Sequence, residues 1–284
     1  MHLAIDGLKK TMWQTNYAIF LRFVRFLFGF PVSVAILLVV VGWSKLLAFD
    51  PTPLFFLWLF LASIIQILFT IVLGYAFESR NFATTIALSK TDALQAALFE
   101  MLLLSVIPDY RLVGAIIIGC LAIFIIARPQ KNTGQSSFFP RGKSVLLGLL
   151  AGLFLGSASV FFRIAMQNLP EFDVLERAIL TSCLAIFIQT MLMGFCLVIW
   201  RPTELVACIK SWRRSSVAGS IAAITTFMWF VAFSLMAVAS VRMLGQIEIV
   251  LSLLCSIYLF KEKVPLREVF GAGLIMLSVI VLLS

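Results

Sequence analysis

Histidine and charge are what this sequence has least of. One histidine, His2, serves all 284 residues, and Asp, Glu, Lys and Arg together make up only 12%. A soluble chain carries about 25% charged residues to cover its surface. With 62% hydrophobic residues instead, this chain must be solvated by lipid. The lone histidine leaves no Ser-His-Asp arrangement and no histidine-based metal site. The cysteines, Cys120, Cys183, Cys196, Cys208 and Cys255, form no CxxC pattern and have no neighbouring histidine, so metal and redox-motif readings fail and packing is the plainer role. No phosphate-cradling GxxxxGK[ST] run occurs, which removes ATP hydrolysis by this chain. The sequence therefore points to no enzyme, no cofactor and no metal. The net charge of +9 is scattered through short loops rather than gathered in a stripe, so nucleic acid is not the expected partner. Asp6 interrupts the only short apolar stretch near Met1, so no cleavable signal pattern is present.

What the sequence does have is long uncharged runs. A helix needs about 20 apolar residues to cross the hydrocarbon core, whereas barrel strands would alternate over about 9–11 residues. The runs predict an all-α integral membrane protein with nine complete transmembrane helices, at roughly 17–43, 52–77, 82–105, 109–127, 144–167, 175–200, 215–236, 238–260 and 266–284. Trp43, Trp200 and Trp212 fall at helix ends, where indole rings anchor at the interface. Pro31 lies inside the first helix, where it is expected to introduce a kink.

Two helices carry an acid near the middle, Asp92 in 82–105 and Glu248 in 238–260, each ten residues from the helix start. At 1.5 Å per residue that is ~15 Å deep, half the core. A carboxylate there costs about 2.5–3.5 kcal/mol on insertion scales, so it is expected to face a cavity or a partner. Substrate or ion binding is one role for the two acids and a buried structural network is the other. Lys90 must be paired or wet at its depth. Two positions from Asp92, it points to a different face, so an ion pair across a cavity is one expectation, and contact with substrate or snorkelling is the other. Arg242, one turn into its helix, either contacts substrate or snorkels to the surface. Gln246 lies one turn beyond and offers an amide. Glu100 sits near the far interface, where a solvated position is expected. Gly148, Gly152 and Gly156, spaced at four, allow close helix approach, within the bundle or between copies.

The chain also repeats itself. ALSKTDALQAALF around Asp92 lies over RMLGQIEIVLSLL around Glu248, Pro108 matches Pro265, and Val113-Gly114-Ala115 matches Phe270-Gly271-Ala272. The polar linker RPQKNTGQSSFFPRGK, at 128–143, separates a first repeat (1–127) from a second (144–284). The second repeat has five helices, and an odd count inverts one half relative to the other. Inverted repeats place substrate at the midplane. With the run IYLFKEKVPLREVFGAGLIMLSVIVLL, in which Glu262 precedes Gly271-Ala272, the layout resembles the EamA-type branch of the drug/metabolite transporter superfamily. The resemblance implies a five-plus-five plan with both ends cytoplasmic. It also implies a secondary transporter for a small polar or amphipathic metabolite, amino-acid-like or drug-like, working by alternating access in the plasma (inner) membrane, with export favoured. A proton is a candidate coupling ion. A non-transporting or inactive truncated membrane protein is the alternative.

Two features depart from that pattern. Sixteen Lys and Arg residues fall on the loops of one face and four on the other, which puts the linker inside and the C-terminus outside. Aligning Arg22 with Arg177 sets Met1 opposite Gly156, so about twelve residues of the first helix are expected to precede Met1.

Overall fold

The computed structural model describes residues 23, 25–47, 49–77, 82–127, 142–200, 202, 212–259, 261 and 264–284. Glu262, Cys208, Ser137, most of the linker and the segment before residue 23 lie outside them. Every regular element among the described residues is helical. The helices are α1 Arg25–Val40, α2 Trp43–Leu47, α3 Pro53–Phe77, α4 Phe82–Ser89, α5 Asp92–Leu104, α6 Tyr110–Ile126, α7 Gly142–Gln167, α8 Val174–Trp200, α9 Trp212–Leu235, α10 Val238–Gly245, α11 Ile247–Tyr258 and α12 Leu266–Leu283. Six helical stretches of the described residues are long and apolar enough to cross a membrane: α3, α7, α8, α9, α10 with α11, and α12. Two of the expected spans are not single helices. The one expected at 82–105 is interrupted at Lys90 and Thr91, and the one at 238–260 at Gln246. The helix expected at 17–43 ends at Val40, where Gly42 adopts φ +78° ahead of the short α2. That left-handed conformation is open to glycine because it has no Cβ.

Local chemistry explains the α4–α5 break. Ser89 Oγ donates to the Ile86 carbonyl at 2.7 Å and Thr91 Oγ1 to the Leu88 carbonyl at 2.8 Å. These hydroxyls satisfy carbonyls at the end of α4 and compete with helix continuation. The amides of Lys90 and Thr91 tighten into three-residue bonds to Ala87 and Leu88. α5 ends at Ser105, in the left-handed conformation at φ 53°, and Pro108 then keeps the preceding residue extended. Asp109 caps α6 by accepting the Tyr110 amide at 2.7 Å.

The chain forms two compact units, residues 1–74 with 161–235, and 75–160 with 236–284. Each combines segments from before and after the linker.

In the first unit the start of α8 is closed by Glu176, whose Oε2 accepts the Asp173 amide at 3.2 Å, one half of a capping box. Its Oε1 accepts Lys45 Nζ from α2 at 2.5 Å. Aromatic packing dominates. Phe162, Phe230 and Phe233 form a tilted stack, and Phe49 meets Phe55 and Phe172 edge to face. One buried amide pair joins α3 to α8, Gln189 Nε2 donating to Gln66 Oε1 at 2.7 Å.

In the second unit α6 and α12 run antiparallel. A Cβ on Gly271 would lie 2.4 Å from Ile126, and one on Gly114 would lie 3.6 Å from Val281. The glycine ladder packs α7 against the α4–α5 break. A Cβ at Gly148 would stand 2.8 Å from the Thr85 carbonyl, at Gly152 3.0 Å from that of Ser89, and at Gly156 2.8 Å from that of Asp92. All three contacts are within one chain, so the ladder serves packing inside the bundle.

Candidate functional site

All five sequence-selected residues, Lys90, Asp92, Arg242, Gln246 and Glu248, belong to the second unit, and the fold brings them together. The helix breaks are the reason. Asp92 opens α5 and Glu248 lies in the first turn of α11. Neither acid sits in the middle of a continuous helix. Asp92 stands where the N-terminus of α5 leaves amides unpaired and places roughly half a positive charge, which favours a carboxylate, whereas at Gln246 the chain keeps helical dihedrals and the Ile249 amide bonds the Gln246 carbonyl. Arg242 occupies the last turn of α10 and Lys90 follows the last residue of α4. Both cations thus stand at helix C-termini, where the dipole favours them.

The charges pair crosswise between the two breaks. Lys90 forms an ion pair with Glu248. Arg242 Nε lies 3.6 Å from Asp92 Oδ2. Lys90 reaches across to another helix, and since the chain leaves the helix at Lys90 and Thr91, helical spacing from Asp92 does not set its direction. Arg242 does not snorkel: its side chain is 12% exposed and also donates to Ser159 Oγ on α7. Gln246 joins the group by donating its amide to the Lys90 carbonyl at 3.2 Å. That carbonyl sits at the break, where no continuing helix supplies a donor.

The two pairs differ in burial. Asp92 keeps 5% of its side-chain surface, whereas Glu248 keeps 54% and Lys90 21%. Glu248 lies within an apolar span, Val238–Tyr258. An ionised group open to hydrocarbon at such a place would be expensive. Two buried acceptors in the cluster, Asp92 Oδ1 and Gln246 Oε1, take no hydrogen bond.

Glu100 departs from the sequence reading. It is 2% exposed rather than solvated. Its carboxylate accepts the Val238 amide at 2.8 Å and the Ala239 amide at 3.0 Å, capping the start of α10. The cost of a carboxylate in the otherwise uncharged run LFEMLLL was the signal available, the same one that picks out Asp92. Ser159 offered no such signal, since a serine in an apolar helix ordinarily bonds back to its own turn, as this one also does to Leu155 at 2.7 Å. A cavity of about 320 Å³ opens elsewhere in the unit, between the 106–109 loop, the start of α10 and the end of α12, and none of the five residues lines it.

Helices that span a membrane and break around facing charges define a class of polytopic membrane protein. The sequence profile of the EamA-like transporter family matches residues 142–284, slightly more than half of the chain. The chain belongs to the EamA-like transporter family, as the resemblance implied. A solved structure titled "Crystal structure of protein" aligns over 96% of this chain and 90% of its own, with a TM-score of 0.65 and 16% identity. At that identity the likeness is one of fold alone. No curated protein matches the chain.

Proposed function

We propose that this protein is a secondary transporter. On this reading it moves a small polar or amphipathic metabolite outward across the inner membrane by alternating access between two inverted repeats, 1–127 and 144–284, joined by the linker 128–143. The observation that carries the reading is the crosswise pairing of Lys90 with Glu248 and Arg242 with Asp92 at two interrupted helices. A regular helix would serve a purely structural bundle better, because tighter three-residue bonds at Lys90, Thr91 and Gln246 replace the regular helical ones. Interrupted helices are worth that cost where charged groups must meet a ligand. Lys90, Asp92, Arg242, Gln246 and Glu248 form the binding cluster, and its carboxylates are the acceptors for a coupling proton.

Flux into proteoliposomes, with a panel of metabolites and an imposed proton gradient, tests the reading. Asp92→Asn and Glu248→Gln are expected to insert and to lose most flux. Normal flux in both variants would remove the cluster from the transport path. Flux indifferent to the gradient would remove the proton. Orientation is tested separately with a cysteine at Ser137 in a background without native cysteines. The charge bias expects no labelling by an impermeant reagent in intact cells, whereas the family plan expects labelling.

A further inference from the structure

We infer that the cavity between the 106–109 loop, the start of α10 and the end of α12 is a binding site for a phospholipid with an ethanolamine headgroup. None of the five cluster residues lines it, and its occupancy does not depend on the transporter reading. Three helix ends meet there. α6 and α10 begin at the cavity and α12 ends at it, and the last two belong to spans long enough to cross a membrane. The cavity therefore opens at the depth of lipid headgroups. Tyr110, between Asp109 and Arg111 in the chain and 74% exposed, fits that depth, where tyrosine is enriched. The volume of about 320 Å³ lies within the range of small-molecule sites, about 300–1,000 Å³.

The lining has two chemistries. Nine of its twelve residues are apolar, among them Leu244, Leu282 and Leu283, which suits hydrocarbon. The other three are Asp109, Arg111 and Ser240. Asp109 and Arg111 do not neutralise each other. Asp109 Oδ1 accepts the Tyr110 amide, and Arg111 Nε donates to the Tyr110 hydroxyl at 3.1 Å with its guanidinium 5.6 Å from the centre of that ring. Asp109 Oδ2 and the terminal nitrogens of Arg111 take no partner among the described residues. Nor does the Ser240 hydroxyl, although Ser157 and Ser278, also within helices, bond back to their own turns. An ethanolamine phospholipid matches this set. Its phosphate accepts from Arg111 and Ser240, its ammonium donates to Asp109, and an acyl chain lies along the apolar wall. A headgroup of net negative charge meets repulsion at Asp109, and a choline headgroup offers Asp109 no N–H donor. Ala237, Ser240 and Leu244 form one wall, so a bound lipid braces the helix that carries Arg242.

The test is native mass spectrometry and thermal unfolding of the delipidated full chain in detergent. The probes are phosphatidylethanolamine, phosphatidylcholine and phosphatidylglycerol with identical acyl chains, and glycerophosphoethanolamine, which has the headgroup without the chains. Phosphatidylethanolamine is expected to bind about tenfold more tightly than the other two lipids, the worth of one hydrogen bond to a charged group, and to raise the melting temperature most. Glycerophosphoethanolamine at the same concentration should give no shift. Asp109→Asn keeps an acceptor for the Tyr110 amide and should fold, yet bind phosphatidylethanolamine no better than phosphatidylcholine. Arg111→Gln should weaken all three lipids. Equal binding of the three lipids by the wild type overturns the inference, and so does a preference for phosphatidylglycerol. A shift from glycerophosphoethanolamine equal to that from the lipid makes the ligand a soluble one and overturns it too. Variants that melt like the wild type without lipid and keep its preference put the lipid elsewhere. Should Asp109→Asn melt early without lipid, Ser240→Ala, which touches no helix cap, takes its place: weaker phosphatidylethanolamine binding supports the site and unchanged binding overturns it.

Discussion

Asp92 and Glu248 occupy matching places, each in the first turn after a helix break and each paired with a cation from the other break. Their surroundings diverge. α7 lies across the α4–α5 break, with Gly152 and Gly156 against its backbone, and seals Asp92. No residue of α11 is buried, and Glu248 stays open. The difference teaches that similar placement of two acids need not give similar surroundings. Packing turns one into a fixed joint and leaves the other exposed. The buried joint should therefore govern stability and the open pair should govern flux.

Breaking the joint has the largest expected effect. Asp92→Asn leaves the Arg242 guanidinium without its carboxylate in a dry site, a loss of about 3–5 kcal/mol. Thermal unfolding in detergent should show it as a clear drop, with flux lost as well. An unchanged melting temperature would dissolve the contrast between the two acids. Next comes Glu100→Ala. Two charge-assisted bonds to the start of α10 disappear, and about 2–3 kcal/mol of stability should go with them. Glu100→Gln keeps one acceptor and should retain part of it. Equal melting of Ala and Gln variants would argue that the carboxylate caps nothing.

Gly156→Ala sharpens the comparison from the packing side. The added methyl meets the Asp92 carbonyl at 2.8 Å, so α7 must shift, at about 1–3 kcal/mol. Gly273→Ala, where a Cβ meets nothing within 4 Å, is the control and should be neutral. The smallest stability effect belongs to Glu248→Gln, at most about 1 kcal/mol for so open a pair. Its flux should nevertheless fall as far as that of Asp92→Asn. A melting loss equal to that of Asp92→Asn would mean that Glu248 is a joint as well.

Composition and run length were enough to place the chain in lipid, because a 62% hydrophobic sequence has no other solvent. The cost of charge in hydrocarbon picked out Asp92, Glu248, Lys90 and Arg242, and the family was legible in ALSKTDALQAALF, in the run IYLFKEKVPLREVFGAGLIMLSVIVLL and in the helix layout. The same rule would have recovered Glu100, whose place near a helix end suggested water instead. Hydropathy could not show the breaks. A window averaged over 82–105 or 238–260 does not register one or two residues that leave the helix, and serine, lysine and threonine also occur in unbroken helices. Which cation meets which anion depends on how α5 and α10 lie side by side. Whether a pair is dry depends on a third helix, α7, whose glycines come more than fifty residues later. The sequence by itself determined the solvent of the chain and the cost of each charge, since both are sums over residues. Only the tertiary structure decided the partners and the exposure of those charges, since both depend on groups far apart in the chain.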